Sequence, residues 1–149
     1  MTESLHFTVD KFTFTIATDR LYHPKGVWVQ EREGGLLVGV TDYVQQSSGD
    51  VAFAEVAPAG SALAAGDILA TIETIKVNVE LIAPVSGTIV SINEKLELEA
   101  EIINQDPYGQ GWLALLEPAA WEVERATLMS PDAYYAHSHA QALEETGGK

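Results

Sequence analysis

Apolar and polar residues alternate in a series of short runs. Leu5, Phe7 and Val9 share one parity; Phe12, Phe14 and Ile16 resume after a change of phase near Lys11, which predicts one or two strands. "YHPKG" reads as a turn, with Pro24 and Gly26 as breakers. "VWVQERE" is a strand, "EGG" a tight turn and "LLVGV" the returning strand. "TDYVQQSSGD" departs from the alternation. Its composition predicts a short helix over 41–48, with Thr41 as N-cap and Gly49 as stop. "VAFAEV" is again a strand, and "APAGSALAAGD" a turn-rich link.

From residue 68 the period of two carries more. Ile68, Ala70 and Ile72 share one parity, and Ile75, Val77, Val79 and Leu81 the other. A one-residue change of phase in a continuous strand would turn its apolar side chains to the opposite face. A turn is the simpler arrangement, so residues 67–82 are expected to form a hairpin with Glu73 to Lys76 at its tip. No Gly or Asn is present there to specify the turn type. "APVSG" is a further turn and "TIVSIN" a strand. "EKLELEAEIIN" is ambiguous between helix and irregular chain, "QDPYGQG" is a loop, and "WLALLE" is a strand.

Many short strands separated by Gly and Pro indicate a sandwich or closed barrel. After Pro118, "AAWEVERATLMSPDAYYAHSHAQALEE" has the spacing of one or two helices, with Ser130 and Pro131 as cap and first turn. "TGGK" is expected to fray.

Composition narrows the classes. The chain of 149 residues suits one domain with a real core. It contains no cysteine, which excludes disulfides and thiolate chemistry and fits a reducing cytoplasm. No run approaches a membrane span of about 20 residues, and no signal peptide is read in "MTESLHFTVD". The net charge of −14 comes from 22 acidic and 8 basic residues. It disfavours nucleic acid and anionic membranes, and suits docking to basic protein surfaces.

Lys76 is the only basic residue between Arg32 and Lys95. At a hairpin tip it has three roles open to it. A Schiff-base amine needs desolvation or a nearby cation, whereas Glu73 is the close charge in sequence. A surface lysine without function is the ordinary case. The third role is the attachment of a swinging carrier group such as lipoamide or biotin, for which a protruding tip gives access and clearance.

The residues here carry a resemblance. "VGVTDYVQQSSGDVAF", "IETIK", "APVSGTIVSINE" and "IINQDPYGQGWLALL" follow one another as in the H protein of the glycine cleavage system, a lipoyl/biotinyl carrier family. The likeness runs from about Tyr22 to Tyr135. It implies a mainly β barrel-sandwich hybrid, resembling a lipoyl domain, over 21–118. Residues 1–20 would be an extension supplying an added strand, and 119–149 a helical segment and tail.

In the family, the lysine of Glu-Ser-Val-Lys carries amide-linked lipoate. "ETIK" fills that place, so the resemblance makes Lys76 the lipoyl lysine and Glu73 the acid read by the lipoylating enzyme, with Thr74, Ile75 and Val77 beside them. Gly66 and Gly87 match the glycines that flank the lysine where the two halves of the sandwich turn. Biotin carriers place methionines beside their lysine; here Ile75 and Val77 stand there. The implied protein is a cytoplasmic monomer with no catalysis of its own. Its implied partners are a lipoate ligase or lipoyl/octanoyl transferase, glycine decarboxylase, aminomethyltransferase and dihydrolipoyl dehydrogenase.

Three stretches depart from the family. "GVW" stands in place of "HEW", "VNVELIAPV" follows the lysine in place of a small and polar run, and about twenty residues precede the likeness. Two alternatives therefore stand beside the glycine cleavage role. One is an H-like lipoate carrier of sulfur intermediates, partnered by sulfur-transfer and heterodisulfide-reductase-like proteins. The other is an unmodified scaffold or interaction module.

Other residues read more simply. His137 and His139 do not share a helix face and lack a third ligand. Tyr108 is expected to pack on the body, and Trp28 and Trp112 in the core. Asp42 is a second, weaker candidate for recognition by the lipoylating enzyme.

Overall fold

The computed structural model describes residues 3–147. The chain begins with β1 (Ser4–Val9), β2 (Phe12–Ala17), β3 (Leu21–His23), β4 (Val27–Arg32) and β5 (Gly35–Val40). After α1 (Asp42–Ser48) come β6 (Val51–Val56), β7 (Ala62–Leu63), β8 (Ile68–Thr74), β9 (Asn78–Ile82) and β10 (Gly87–Ile92). A 3-10 turn at Glu94–Glu97 and α2 (Ile102–Gln105) lead to β11 (Ala114–Pro118). Then follow α3 (Trp121–Glu124), a 3-10 turn at Arg125–Thr127 and α4 (Pro131–Gly147).

Two antiparallel sheets make the body. One has six strands in the order β3-β4-β5-β11-β10-β7, and the other three in the order β6-β8-β9. A core of aliphatic side chains lies in the body, with Val38, Leu69, Val85, Ile89, Ile103, Leu113 and Leu116 essentially inaccessible to water. In β8 the expected alternation holds for Ala70 and Ile72, which are buried, but an irregularity in the pairing with β9 between Ile68 and Ala70 breaks it at the start, so that Leu69 is buried and Ile68 exposed.

A second, aromatic core joins the N-terminal hairpin to the body. It contains Phe7, Phe14, Tyr22, Trp28, Tyr43 and Tyr134. Tyr22 and Tyr134 stack at 4.6 Å and 7°. Trp28 and Tyr22 are fully buried, and each polar atom is satisfied: Trp28 Nε1 donates to Pro107 O (3.0 Å) and Tyr22 Oη to Ala17 O (2.7 Å). Trp112 is only partly buried, against the edge of this cluster.

Several expectations shift. The segment before β3, expected to add a strand, adds two, β1 and β2. It folds as a separate two-stranded sheet, β1-β2, because its apolar face finds α4 and Tyr43 rather than a sheet edge. Its turn uses Asp10 in the left-handed region (φ 57°). Tyr22 and His23, read as turn, are strand residues paired with Trp28 and Val27, so the turn is confined to residues 24–26. The link after β6 holds the short β7.

Asp42–Ser48 is helical as expected, with Thr41 Oγ1 accepting from Val44 N (3.2 Å) and Gly49 at φ 94°. Ser130 Oγ accepts from Ala133 N (3.2 Å) at the start of α4. Of the expected frayed tail, Thr146 and Gly147 are helical, while Gly148 and Lys149 lie outside the described residues. No helix among the described residues is long and apolar enough to cross a membrane.

Candidate functional site at the β8–β9 tip

Strands β8 and β9 pair from Ile68–Ile82 to Glu73–Asn78, so the chain reverses over residues 75–77. The turn sits one residue later than the phase change suggested. Glu73 and Thr74 are the last residues of β8, and Ile75, Lys76 and Val77 form the apex. Ile75 and Val77 share parity with Val79 and Leu81, but the twist of the turn leaves them out of the core. They are 78% and 48% exposed, whereas Leu81 is 2%.

Thr74 holds this turn together. Its amide donates to Val77 O (2.8 Å), and its hydroxyl accepts from Lys76 N (3.2 Å) and Val77 N (3.0 Å). A threonine hydroxyl thus does the work that Gly or Asn does in shorter hairpin turns. Ile75 N donates to Asp50 O (3.3 Å), which ties the apex to the loop after α1.

Lys76 is exposed, yet its side chain has a defined place. It lies across Gly49, where a Cβ would come within 3.4 Å of its Cε, and its Nζ donates to Ser47 O (3.1 Å). An ammonium at the carboxyl end of a helix meets the unpaired carbonyls and the negative end of the helix dipole, a favourable position. Gly49 ends α1 through its positive φ, and the stem of Lys76 packs over it.

Asn104 braces this platform from below. Its Oδ1 accepts from Val51 N (2.8 Å), and its Nδ2 donates to Gln45 Oε1 (3.0 Å) and Gly49 O (3.1 Å). One side chain thereby fixes the end of α1 to the start of β6. Neither Asn104 nor Thr74 was assigned this role from sequence, although "IINQDPYG" contains the first and "ETIK" the second.

The remaining candidates separate by position. Glu73 is exposed and adjacent to the apex, opposite Phe53 of β6. Gly66 and Gly87 are not near Lys76. Gly66 N donates to Ala83 O (2.9 Å) at the base of the hairpin. Gly87 opens β10, directly after the turn, and is required by close approach: a Cβ there would meet Glu117 O at 2.5 Å. Asp42 is half-buried and accepts from Thr15 N (2.9 Å), Gln45 Nε2 (2.7 Å) and Gln46 Nε2 (2.9 Å), so it holds β2 to α1 rather than facing a partner.

Tyr108 packs on the body and donates to Thr15 O (2.7 Å). His139 lies on Phe7 at 4.8 Å and His137 Nε2 hydrogen-bonds Pro24 O (3.1 Å). No cluster of three or more metal-ligating side chains occurs among the described residues.

The sequence model of the glycine cleavage H-protein family matches residues 20–141. The chain is 43% identical over 116 residues to the glycine cleavage system H protein of Salinibacter ruber, covering 78% of this chain and 93% of that protein. It is 40% identical over 123 residues to the H protein of a Listeria monocytogenes strain, covering 80% and 95%. The fold is similar to a crystal structure of an H protein from Mycobacterium marinum, with a TM-score of 0.74 and 29% identity over 82% of this chain and 98% of that one. Sequence and fold agree, and the chain belongs to the glycine cleavage H-protein family.

Proposed function

We propose that the chain is the lipoyl carrier of glycine cleavage, with lipoate in amide linkage to Lys76. The observation that carries this reading is the position of Lys76, exposed at the apex of the β8–β9 hairpin in a chain of this family. Amide formation removes the ammonium charge but leaves one N–H on Nζ, so a donor for Ser47 O is retained. When bound, lipoate supplies a disulfide that interconverts with a dithiol and takes up a one-carbon amine.

The chain's own residues present and position that group. Thr74 shapes the apex, Gly49 and Asn104 hold the end of α1 under the lysine stem, and tethering makes each transfer a local event. Glu73, together with Ile75 and Val77, offers a carboxylate and two exposed apolar side chains to a lipoate ligase or lipoyl/octanoyl transferase. Gly66 and Gly87 serve the base of the hairpin and the sandwich, not the cofactor. The carrier itself catalyses nothing. It acts as a cytoplasmic monomer that visits glycine decarboxylase, aminomethyltransferase and dihydrolipoyl dehydrogenase in turn, aided by its acidic surface. The sulfur-carrier and unmodified-scaffold alternatives are not favoured, since the relatives reported above are glycine cleavage H proteins.

The test is glycine–bicarbonate exchange. The lipoylated chain is expected to restore exchange to glycine decarboxylase, and Lys76→Arg to leave it at background. Absence of exchange, with persulfide loading of the arm by a sulfur transferase, would overturn the glycine cleavage role.

A further inference from the structure

The N-terminal hairpin precedes the family match at residue 20 and leaves one strand edge open. Hydrogen bonding in an antiparallel pair alternates, so every second residue turns its N–H and C=O away from the partner strand. In β2 those residues are Thr13, Thr15 and Ala17, and each is met by a side chain. Thr15 N donates to Asp42 Oδ2 (2.9 Å), and Thr15 O accepts from Tyr108 Oη (2.7 Å). Thr13 O accepts from Gln46 Nε2 (2.9 Å), and Ala17 O from Tyr22 Oη (2.7 Å). Their register partners in β1 are Thr8, His6 and Ser4. The same alternation turns the backbone groups of these three to the opposite edge, where no hydrogen bond meets them among the described residues.

Other strand edges are blunted. β6 carries Glu55 and β9 carries Glu80, β7 has two residues, and β3 bridges to Met129. β1 contains no charged residue and no proline. Its apolar face is already backed: Phe7 and Val9 are buried, and Phe7 lies edge-on to Tyr135 of α4. His6 and Thr8 are exposed.

We infer that the free edge of β1 is a docking site for an extended segment of one of the enzymes that handle the arm, added to the hairpin as a third strand. The inference rests on the carrier reading. Charge selects the occupant. The chain carries −14, so a second copy is repelled and a cationic partner attracted. Glu3 precedes the uncharged run and Asp10 follows it, so the fitting segment is itself uncharged, with Lys or Arg at its ends. Phe12 of the hairpin and Lys76 line one cavity, so a segment held on β1 keeps its enzyme beside the modified lysine.

The experiment uses the full chain lipoylated at Lys76 as the substrate of glycine decarboxylase, aminomethyltransferase and dihydrolipoyl dehydrogenase in turn. Thr8→Pro removes one outward N–H and no hydrogen bond between β1 and β2. Thr8→Val loses the same hydroxyl contact with Thr13 but keeps the N–H, which makes it the matched control. Thr8→Pro is expected to raise KM for at least one enzyme about three- to tenfold with kcat unchanged, the scale of one net hydrogen bond. Thr8→Val is expected to match the native chain. Should Thr8→Pro loosen the hairpin, the double variant Glu3→Gln/Asp10→Asn decides. It is expected to raise the same KM about two- to fivefold at low salt and to leave it unchanged at high salt.

A native chain that all three enzymes turn over, with KM values that neither Thr8→Pro nor the double variant changes, overturns the docking edge and leaves the carrier reading standing. An equal rise for Thr8→Pro and Thr8→Val also overturns it, since the side chain rather than the amide is then read. So does a native dimer by light scattering that Thr8→Pro dissociates, because the occupant is then a second copy. A lipoylated native chain that none of the enzymes turns over overturns both readings.

Discussion

Thr74 and Gly49 show how few atoms separate a presented lysine from a floppy one. Thr74→Ala removes a hydroxyl that accepts from Lys76 N and Val77 N. The expected cost is about 1 kcal/mol in urea unfolding, with partial recovery by Thr74→Ser. Gly49→Ala places a side chain at φ 94° and against Lys76 Cε. It is expected to cost about 1–3 kcal/mol in urea unfolding, from backbone strain rather than from the contact with the lysine, which an added Cβ would make at van der Waals distance. The place of Lys76 at an exposed hairpin apex was legible, because a lone cation and a phase change coincide in one stretch. The turn was displaced by one residue because a threonine hydroxyl leaves no Gly or Asn signature. The packing of Lys76 over Gly49 was hidden because that contact is distant in sequence, and a helix stop already accounted for the glycine.

At the scale of elements, the N-terminal hairpin is the distinctive addition. Alternation in residues 5–16 correctly announced strands, but a two-residue period does not say which surface a strand will cover. The deciding features are non-local: Asp42 accepting from Thr15 N, Tyr108 donating to Thr15 O, and Phe7 packed edge-on against Tyr135 at 5.5 Å. Asp42→Ala removes one of these ties and also an acid favourable at the start of α1. Amide hydrogen exchange is expected to accelerate over residues 4–17, while β4 and β5 keep their protection. Uniform acceleration across β4 and β5 would mean that the hairpin is part of the main cooperative unit. The helix at α1 was legible to its ends because Thr41 and Gly49 are local signals.

For the whole molecule, the sandwich class was readable from the number and spacing of short strands. Its division into an aliphatic and an aromatic core was not, since Tyr22, Trp28, Tyr43, Tyr108 and Tyr134 converge from five separate segments. That aromatic core predicts alkaline sensitivity. Burial raises the phenol of Tyr134 from 10.0 to about 12, with its hydrogen bond to Thr41 opposing the rise and Asp42 adding to it. Burial also raises Tyr22 and Tyr108. The folded state holds these protons more tightly than the unfolded chain. Their contribution is therefore intact below about pH 10 and lost as the pH climbs toward 12. Thermal melts across that window are expected to fall steeply. Tyr134→Phe, although less stable at pH 7, should show a shallower fall.

The central claim is that Lys76 alone takes the lipoyl group. The most direct measurement is intact mass and peptide mapping after incubation with lipoate, ATP and a lipoate ligase. The chain contains four other lysines, Lys11, Lys25, Lys95 and Lys149, as internal controls. The account predicts a single lipoyl increment, mapped to Lys76 and absent from Lys76→Arg. An increment retained by Lys76→Arg, or mapped to any of the other four, would contradict it.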